Sequence, residues 1–263
     1  MIGSVIGDIA GSLYEGSSIK TKSFPFFNEF GRFTDDTVLS VAVAAALLES
    51  SEYIDRAQHY VSMFHDWFAL YPDAGFGDTF FSWADMRDRQ PYNSWGNGSA
   101  MRVGAIGWAF DTLDETLAEA HLSASVTHNH PEGIRGAQAV AAAIYAARNG
   151  ADKGAIRTLV ESRFSYDLSA SVDEIRPTYG FDVSCQGSVP QSIICFLDSS
   201  SFEDAVRNAI SLGGDSDTMA CIAGSIAEAA YGVPSEFREK AMGYLDSRLG
   251  AEIEEFEATY GPD

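Results

Sequence analysis

Two short acidic segments, Thr34-Asp35-Asp36-Thr37 and Asp215-Ser216-Asp217-Thr218, hold the residues best suited to chemistry in this chain. Each sets two carboxylates and a following hydroxyl just ahead of an apolar stretch, VLSVAVAAALLE after the first and MACIAGSIAEAA after the second. Brought together in the fold, they would place four carboxylates in one site. Like charges at close quarters raise one another's pKa and destabilise the folded state unless countercharge is supplied. Divalent cations supply it, and an all-oxygen donor set selects hard ions such as Mg²⁺, Mn²⁺ or Ca²⁺ over Zn²⁺. Helix capping is the competing reading, because Ser, Thr and Asp are preferred N-caps and acids are favoured in a first turn. A cap needs one such residue. Two acids and a hydroxyl, twice over, exceed it.

Three loops carry the remaining polar chemistry. In Tyr92-Asn93-Ser94-Trp95-Gly96-Asn97-Gly98-Ser99, glycines, asparagines and serines offer bare backbone N–H groups and short donors. A helix starting near Ser99 would add its positive end, which makes a phosphate cradle. Trp95 is either a flat face for a nucleobase or a core residue. Asp73-Ala74-Gly75-Phe76-Gly77-Asp78 is a weaker loop of the same kind, in which Gly75 and Gly77 allow close backbone approach or simply serve a connector. In Thr127-His128-Asn129-His130-Pro131-Glu132-Gly133, two histidines stand beside a glutamate, but a further nitrogen or sulfur ligand at suitable spacing is missing. A histidine touching ribose or phosphate fits better there, with Pro131 fixing the turn into a helix.

The elements that must hold these segments read as helices. Gly3, Gly7 and Gly11 recur every fourth residue and share one face of a helix over residues 2–13. That face trades helix propensity, about 1 kcal/mol per glycine, for close approach of a helix or ligand. Further helices are expected over residues 38–49, 54–68, 133–148, 202–212, 219–230 and 235–249. No segment alternates apolar and polar residues over a strand length between turn signals. No repeat, linker or shift of composition marks a boundary, so residues 1–263 are expected to form one all-α domain. The chain is 46% apolar and 21% charged, ordinary for a globular protein, and 263 residues suffice for one substantial core. A net charge of −21 argues against a general grip on nucleic acid. No apolar run is long enough for a membrane span, and MIGSVIGDIAG lacks the basic start of a secretory leader. Cys185, Cys195 and Cys221 are too few and scattered for a disulfide framework or zinc site. They read as reduced packing residues of a cytoplasmic protein.

Taken in order, GDIAGSLYE, FTDDT, WGNGSAMR, THNHPEG and GGDSDT resemble the motifs of the ADP-ribosylglycohydrolases. The resemblance runs from Gly7 to about Gly232. It implies an orthogonal all-α fold with a binuclear Mg²⁺ (or Mn²⁺) centre at the bottom of a cleft. It also implies hydrolysis of the bond at the anomeric carbon of an ADP-ribose unit. Carried over by motif, the metal ligands are Thr34, Asp35, Asp36, Asp215, Asp217 and Thr218. Ser94, Trp95, Gly96 and Asn97 would hold diphosphate and adenosine, His128 would lie near a ribose, and Gly75 and Gly77 would line the cleft. Glu15, in SLYEG, resembles a catalytic glutamate of the branch acting on serine-linked ADP-ribose, and Asp35 or Asp36 would share the proton transfers. Asp78-Thr79 is similar instead to the acidic position that serves as base in arginine-directed members, so the acceptor stays open. The implied partner is ADP-ribose or an ADP-ribosylated protein, met by a monomer. Two other classes are weighed against this one. A non-catalytic ADP-ribose-binding module would not need the metal segments. A Ca²⁺-stabilised interaction protein would need ligand spacing that is absent here.

Overall fold

The computed structural model describes residues 1–49 and 55–261. In chain order its helices are α1 (Ile2–Gly11), α2 (Asp35–Leu48), α3 (Arg56–Leu70), α4 (Asp78–Asp85), α5 (Gly98–Met101), α6 (Ile106–Ala109), α7 (Leu113–Ser125) and α8 (Pro131–Arg148). The second half adds α9 (Lys153–Phe164), α10 (Val172–Ile175), α11 (Cys185–Leu197), α12 (Phe202–Ser211), α13 (Ser216–Tyr231), α14 (Ser235–Met242) and α15 (Ser247–Tyr260). Among the described residues there is no strand, only an isolated bridge between Gly96 and Ser184.

Helix α13 is the central element. Its residues from Ser216 to Ala227 are all buried, and α1, α8, α11 and α12 pack around it. The glycine stripe of α1 explains how closely the first of these approaches. A Cβ on Gly3 would lie 2.5 Å from the Gly224 carbonyl oxygen, and one on Gly11 would lie 2.5 Å from the Asp217 Cα. Backbone therefore meets backbone along this contact, and any side chain would force the helices apart. Gly224 completes the fit from the other side, where a Cβ would strike the Gly3 carbonyl.

Helix α2 is Ala- and Val-rich and buried on nearly all sides, with α3 and α15 against it. Thr34 caps it, accepting a hydrogen bond from the Asp36 N–H. The first turns of α2 and α13 thus both open toward the same region, and each carries acids where the helix dipole favours them.

The structure corrects several expectations. The helix read over 235–249 is two helices, because the chain turns between Met242 and Ser247 and Asp246 caps α15 through the Arg248 and Leu249 N–H groups. The helix expected from Ile54 is described from Arg56; Ile54 itself lies outside the described residues. Helices α4, α6, α7, α9, α10 and α11 were not anticipated. In α11 the cause is plain, since Pro190 sits inside the helix, where proline usually signals a break.

Candidate active site

An acidic cavity of about 330 Å³ lies where α2, α4, α5 and α13 converge. Its lining includes Glu15, Thr34, Asp35, Asp36, Gly75, Gly77, Ser94, Gly96, Asn97, His128, Asp215, Asp217 and Thr218. Every residue expected at the site is therefore gathered there except Trp95. The Trp95 ring is 53% exposed, 6.1 Å from the His130 ring, outside the cavity lining. It is not a core residue.

The residue missed from sequence is Asp8. It is fully buried on α1, next to Gly7, and it organises the first acidic segment. Its carboxylate accepts from the Thr34 N–H (2.8 Å), the Thr34 hydroxyl (2.8 Å), the Thr37 N–H (3.1 Å) and the Thr37 hydroxyl (2.5 Å). The only signal for it was a lone acid in an otherwise apolar, glycine-striped helix.

Carboxylate oxygens of Asp8, Asp36 and Asp217 come within 4.8 Å of one another, and so do those of Glu15, Asp215 and Asp217. Asp217 belongs to both groups. Asp35 lines the same cavity but stands outside both groups, facing the loop at Gly75, where a Cβ would lie 3.9 Å from its Oδ1. Gly75 has φ +101°, a conformation that favours glycine. Asp215 occupies the N-cap position of α13 yet makes no capping bond; its Oδ2 accepts from the Asn97 side chain at 2.7 Å. Capping thus accounts for Thr34 and not for the acids.

Electrostatics set these carboxylates apart. Burial raises both Asp8 and Asp215 to about 6, against the opposing pull of their hydrogen bonds. Burial, then the neighbouring acids, pushes Asp35, Asp36 and Asp217 well above the usual range. Among the described residues neither these five acids nor Glu15 takes part in an ion pair with Lys, Arg or His. Asp36 is only 2% exposed, and its Oδ1 has no hydrogen-bond partner. An orphaned, buried carboxylate oxygen among uncompensated acids fits a site for hard cations.

The loops around the cavity are tied together by backbone. Tyr92 N–H donates to the Thr127 carbonyl, Asn93 N–H to the Asn129 side chain, Asn97 N–H to the Val183 carbonyl and Cys185 N–H to the Trp95 carbonyl. The Gly96 N–H is held by Ser94 Oγ at 3.1 Å. Two amides of the expected cradle, those of Gly96 and Asn97, are thus already engaged. The helix begins at Gly98 rather than Ser99, with Asn97 as its N-cap residue.

Residues 1–259 match the sequence profile of the ADP-ribosylglycohydrolase family. The human ADP-ribosylhydrolase ARH3 is 28% identical over 84% of this chain and 77% of its own length. An ADP-ribosylarginine hydrolase, Tri1, of Pseudomonas putida (strain GB-1) is 31% identical over 55% of this chain and 42% of its own length. A solved structure described as an ADP-ribosylglycohydrolase-related protein complex superposes with a TM-score of 0.69 at 22% identity, covering 98% of this chain and 95% of that one.

Proposed function

The chain belongs to the ADP-ribosylglycohydrolase family, and on that premise we propose that its acidic cavity is a divalent-cation-dependent site for hydrolysis at the anomeric carbon of an ADP-ribosyl group. The observation that carries this reading is the gathering of six carboxylates, Glu15, Asp35, Asp36, Asp215 and Asp217 on the cavity wall and Asp8 buried against Asp36 and Asp217, with none of them in an ion pair among the described residues. Two Mg²⁺ or Mn²⁺ ions are the proposed cofactors. Asp36, Asp217 and Asp8 would hold one, and Asp215, Asp217 and Glu15 the other, with Thr34 and Thr218 beside them. Such ions neutralise the acids, orient sugar hydroxyls and acidify water.

The chain's own residues supply the rest. Asp8 fixes the Thr34–Thr37 turn, so that Asp35 and Asp36 face the cavity. Asn97 holds Asp215 in place, and its amide also donates to Ser188 at 3.2 Å. Glu15 is exposed to solvent on the cavity wall, a position that suits a general acid or base. The carboxylates flanking the anomeric carbon stabilise positive charge that develops there as the bond breaks. Trp95 stands at the rim, where it offers a ring for the adenine to stack on. The three cysteines are free and buried, as suits the reducing cytoplasm in which we place the protein. No described helix is long and apolar enough to cross a membrane.

The acceptor is decided by a turnover panel. Serine-linked and arginine-linked ADP-ribosyl substrates are offered with Mg²⁺ and with Mn²⁺, to native protein, Glu15→Gln and Asp78→Asn. Both residues line the cavity. Loss of about 10²–10⁴-fold in kcat for Glu15→Gln on the serine linkage, with Asp78→Asn mild, assigns the serine branch. The reverse pattern on the arginine linkage assigns the other. Tight binding of ADP-ribose with no turnover of any linkage would mean a binding module instead.

A further inference from the structure

Arg102 is the largest fully buried side chain of the protein, and it lines the acidic cavity from behind. Its guanidinium lies 4.2 Å from the centre of the Phe64 ring. Nη2 donates to the Ser123 carbonyl at 2.7 Å and to the Thr127 hydroxyl at 2.9 Å, while Nε and Nη1 have no partner. Burial lowers its pKa to about 10, so it remains a cation at neutral pH and can only donate. The Thr127 Oγ1 in turn lies 2.8 Å from His128 Nδ1.

These contacts constrain the protons. Thr127 is fully buried, and its hydroxyl has a single proton. Its oxygen already accepts from Arg102, which has no lone pair to take that proton. Its other close hydrogen-bond contact is His128 Nδ1, and sending the proton there rather than to Tyr92 makes Nδ1 the acceptor. We propose that Arg102, acting through Thr127, is a positioning residue that locks His128 in the Nε2–H tautomer, making it a hydrogen-bond donor to an oxygen of the ligand rather than a base. Burial and then the charge of Arg102 hold the imidazole well below its ordinary pKa, in keeping with a neutral ring.

The glycine loop leaves Nε2 open. A Cβ on Gly98 would sit 3.2 Å from Nε2 and one on Gly96 3.6 Å from it. Among the described residues, His128 Nε2 makes no hydrogen bond, and His128 lines the cavity. Gly96 and Gly98 therefore keep a donor uncovered as well as shaping a turn. That the acceptor is an ADP-ribosyl oxygen rests on the function proposed above. The tautomer does not.

The rival arrangement involves Tyr92, whose ring centroid is 5.8 Å from that of His128 and whose hydroxyl burial raises to about 12. Thr127 would donate to Tyr92, and His128 would carry its proton on Nδ1. Long-range ¹H–¹⁵N correlation spectra of the ligand-free, ¹⁵N-labelled protein separate the two, with His128 assigned by its loss in His128→Gln. The native spectrum should show Nε2 protonated and Nδ1 bare. Thr127→Val should release the ring into a mixture of tautomers, and Thr127→Ser should restore the native pattern. ADP-ribose binding should weaken about 3- to 10-fold in Thr127→Val, the loss of one hydrogen bond, and recover in Thr127→Ser. A native ring protonated on Nδ1, or a Thr127→Val tautomer identical to native, overturns the proposal. The native spectrum alone decides if Thr127→Val does not fold. A native Nε2–H ring in a protein that does not bind ADP-ribose would remove the ligand reading and leave the hydrogen-bond chain standing.

Discussion

Replacing Gly7 by alanine adds one methyl group, yet it should disturb the site. A Cβ there would lie 2.6 Å from the Cys221 nitrogen, and the Ala220 carbonyl carbon and oxygen are closer still. All three are backbone atoms of α13, so nothing can swing aside. Ordinary contact begins near 3.4 Å, so α1 must retreat by about 0.8 Å or more, the difference between the two distances. Asp8 is the next residue and moves with the helix, away from Asp36 and Asp217. Overpacking of this kind costs about 1–3 kcal/mol, of which the better helix propensity of alanine offsets up to about 1 kcal/mol. The net loss of about 1–2 kcal/mol lowers Tm by roughly 2–8 °C in a chain of this size. Thermal unfolding of native protein, Gly7→Ala and Gly16→Ala measures it, each with and without Mg²⁺. Gly16 has no atom within 4 Å of its would-be Cβ and serves as the control. Gly7→Ala should melt lower than both and gain less from Mg²⁺. A Gly7→Ala protein that melts with the native one and keeps the full Mg²⁺ gain would refute the claim that this helix contact positions Asp8.

Three further outcomes are expected. In EDTA, Tm should fall as pH rises from about 4 to about 6.5. Asp8 and Asp215 have folded pKa values of about 6 against 3.8, so their contribution is complete below the unfolded value and lost as pH climbs through 6. Each group contributes on the order of 3 kcal/mol by linkage, Mg²⁺ should flatten the slope, and a Tm that climbs with pH in EDTA would contradict it. Thr37→Val removes the 2.5 Å hydroxyl bond to Asp8 at a fully buried position and should destabilise by about 1–3 kcal/mol, read by urea unfolding, where an unchanged midpoint would count against Asp8 as organiser. Trp95→Ala should weaken ADP-ribose binding by about 1–3 kcal/mol in calorimetry while scarcely changing Tm, because the ring is half exposed; an unaltered Kd would remove the stacking role.

The acids of the two segments were legible because two carboxylates and a hydroxyl before an apolar run exceed what a cap needs. The glycine stripe was legible as a close-approach face, and the structure shows the neighbour to be a helix, α13. Asp8 was not legible as an organiser, because its hydrogen bonds go to residues 26 and 29 positions away, which local pattern does not reveal. Arg102 escaped for a similar reason. A cation after an apolar run normally means surface, and only the packing of Phe64, Ser123 and Thr127 around it explains its burial. The break between α14 and α15 was hidden because Leu245 and Leu249 continue a helical spacing across the turn. In α7 the mixed sequence LDETLAEAHLSAS has a weakly apolar face, and its helix is stabilised by the Thr112 cap and by packing on α8.

The central claim is that uncompensated acids on α1, α2 and α13 make this cavity a cation-dependent hydrolytic site. Its most direct test is the release of ADP-ribose from an ADP-ribosylated protein, measured first in EDTA and then after Mg²⁺ or Mn²⁺ is restored, for native protein and Asp217→Asn. Asp217 belongs to both acidic groups, so its loss should defeat the site at any ion concentration. The account predicts no release in EDTA, recovery of the native protein with at least one of the two ions, and no recovery in Asp217→Asn. Undiminished release in EDTA, or native-like turnover by Asp217→Asn, would contradict it.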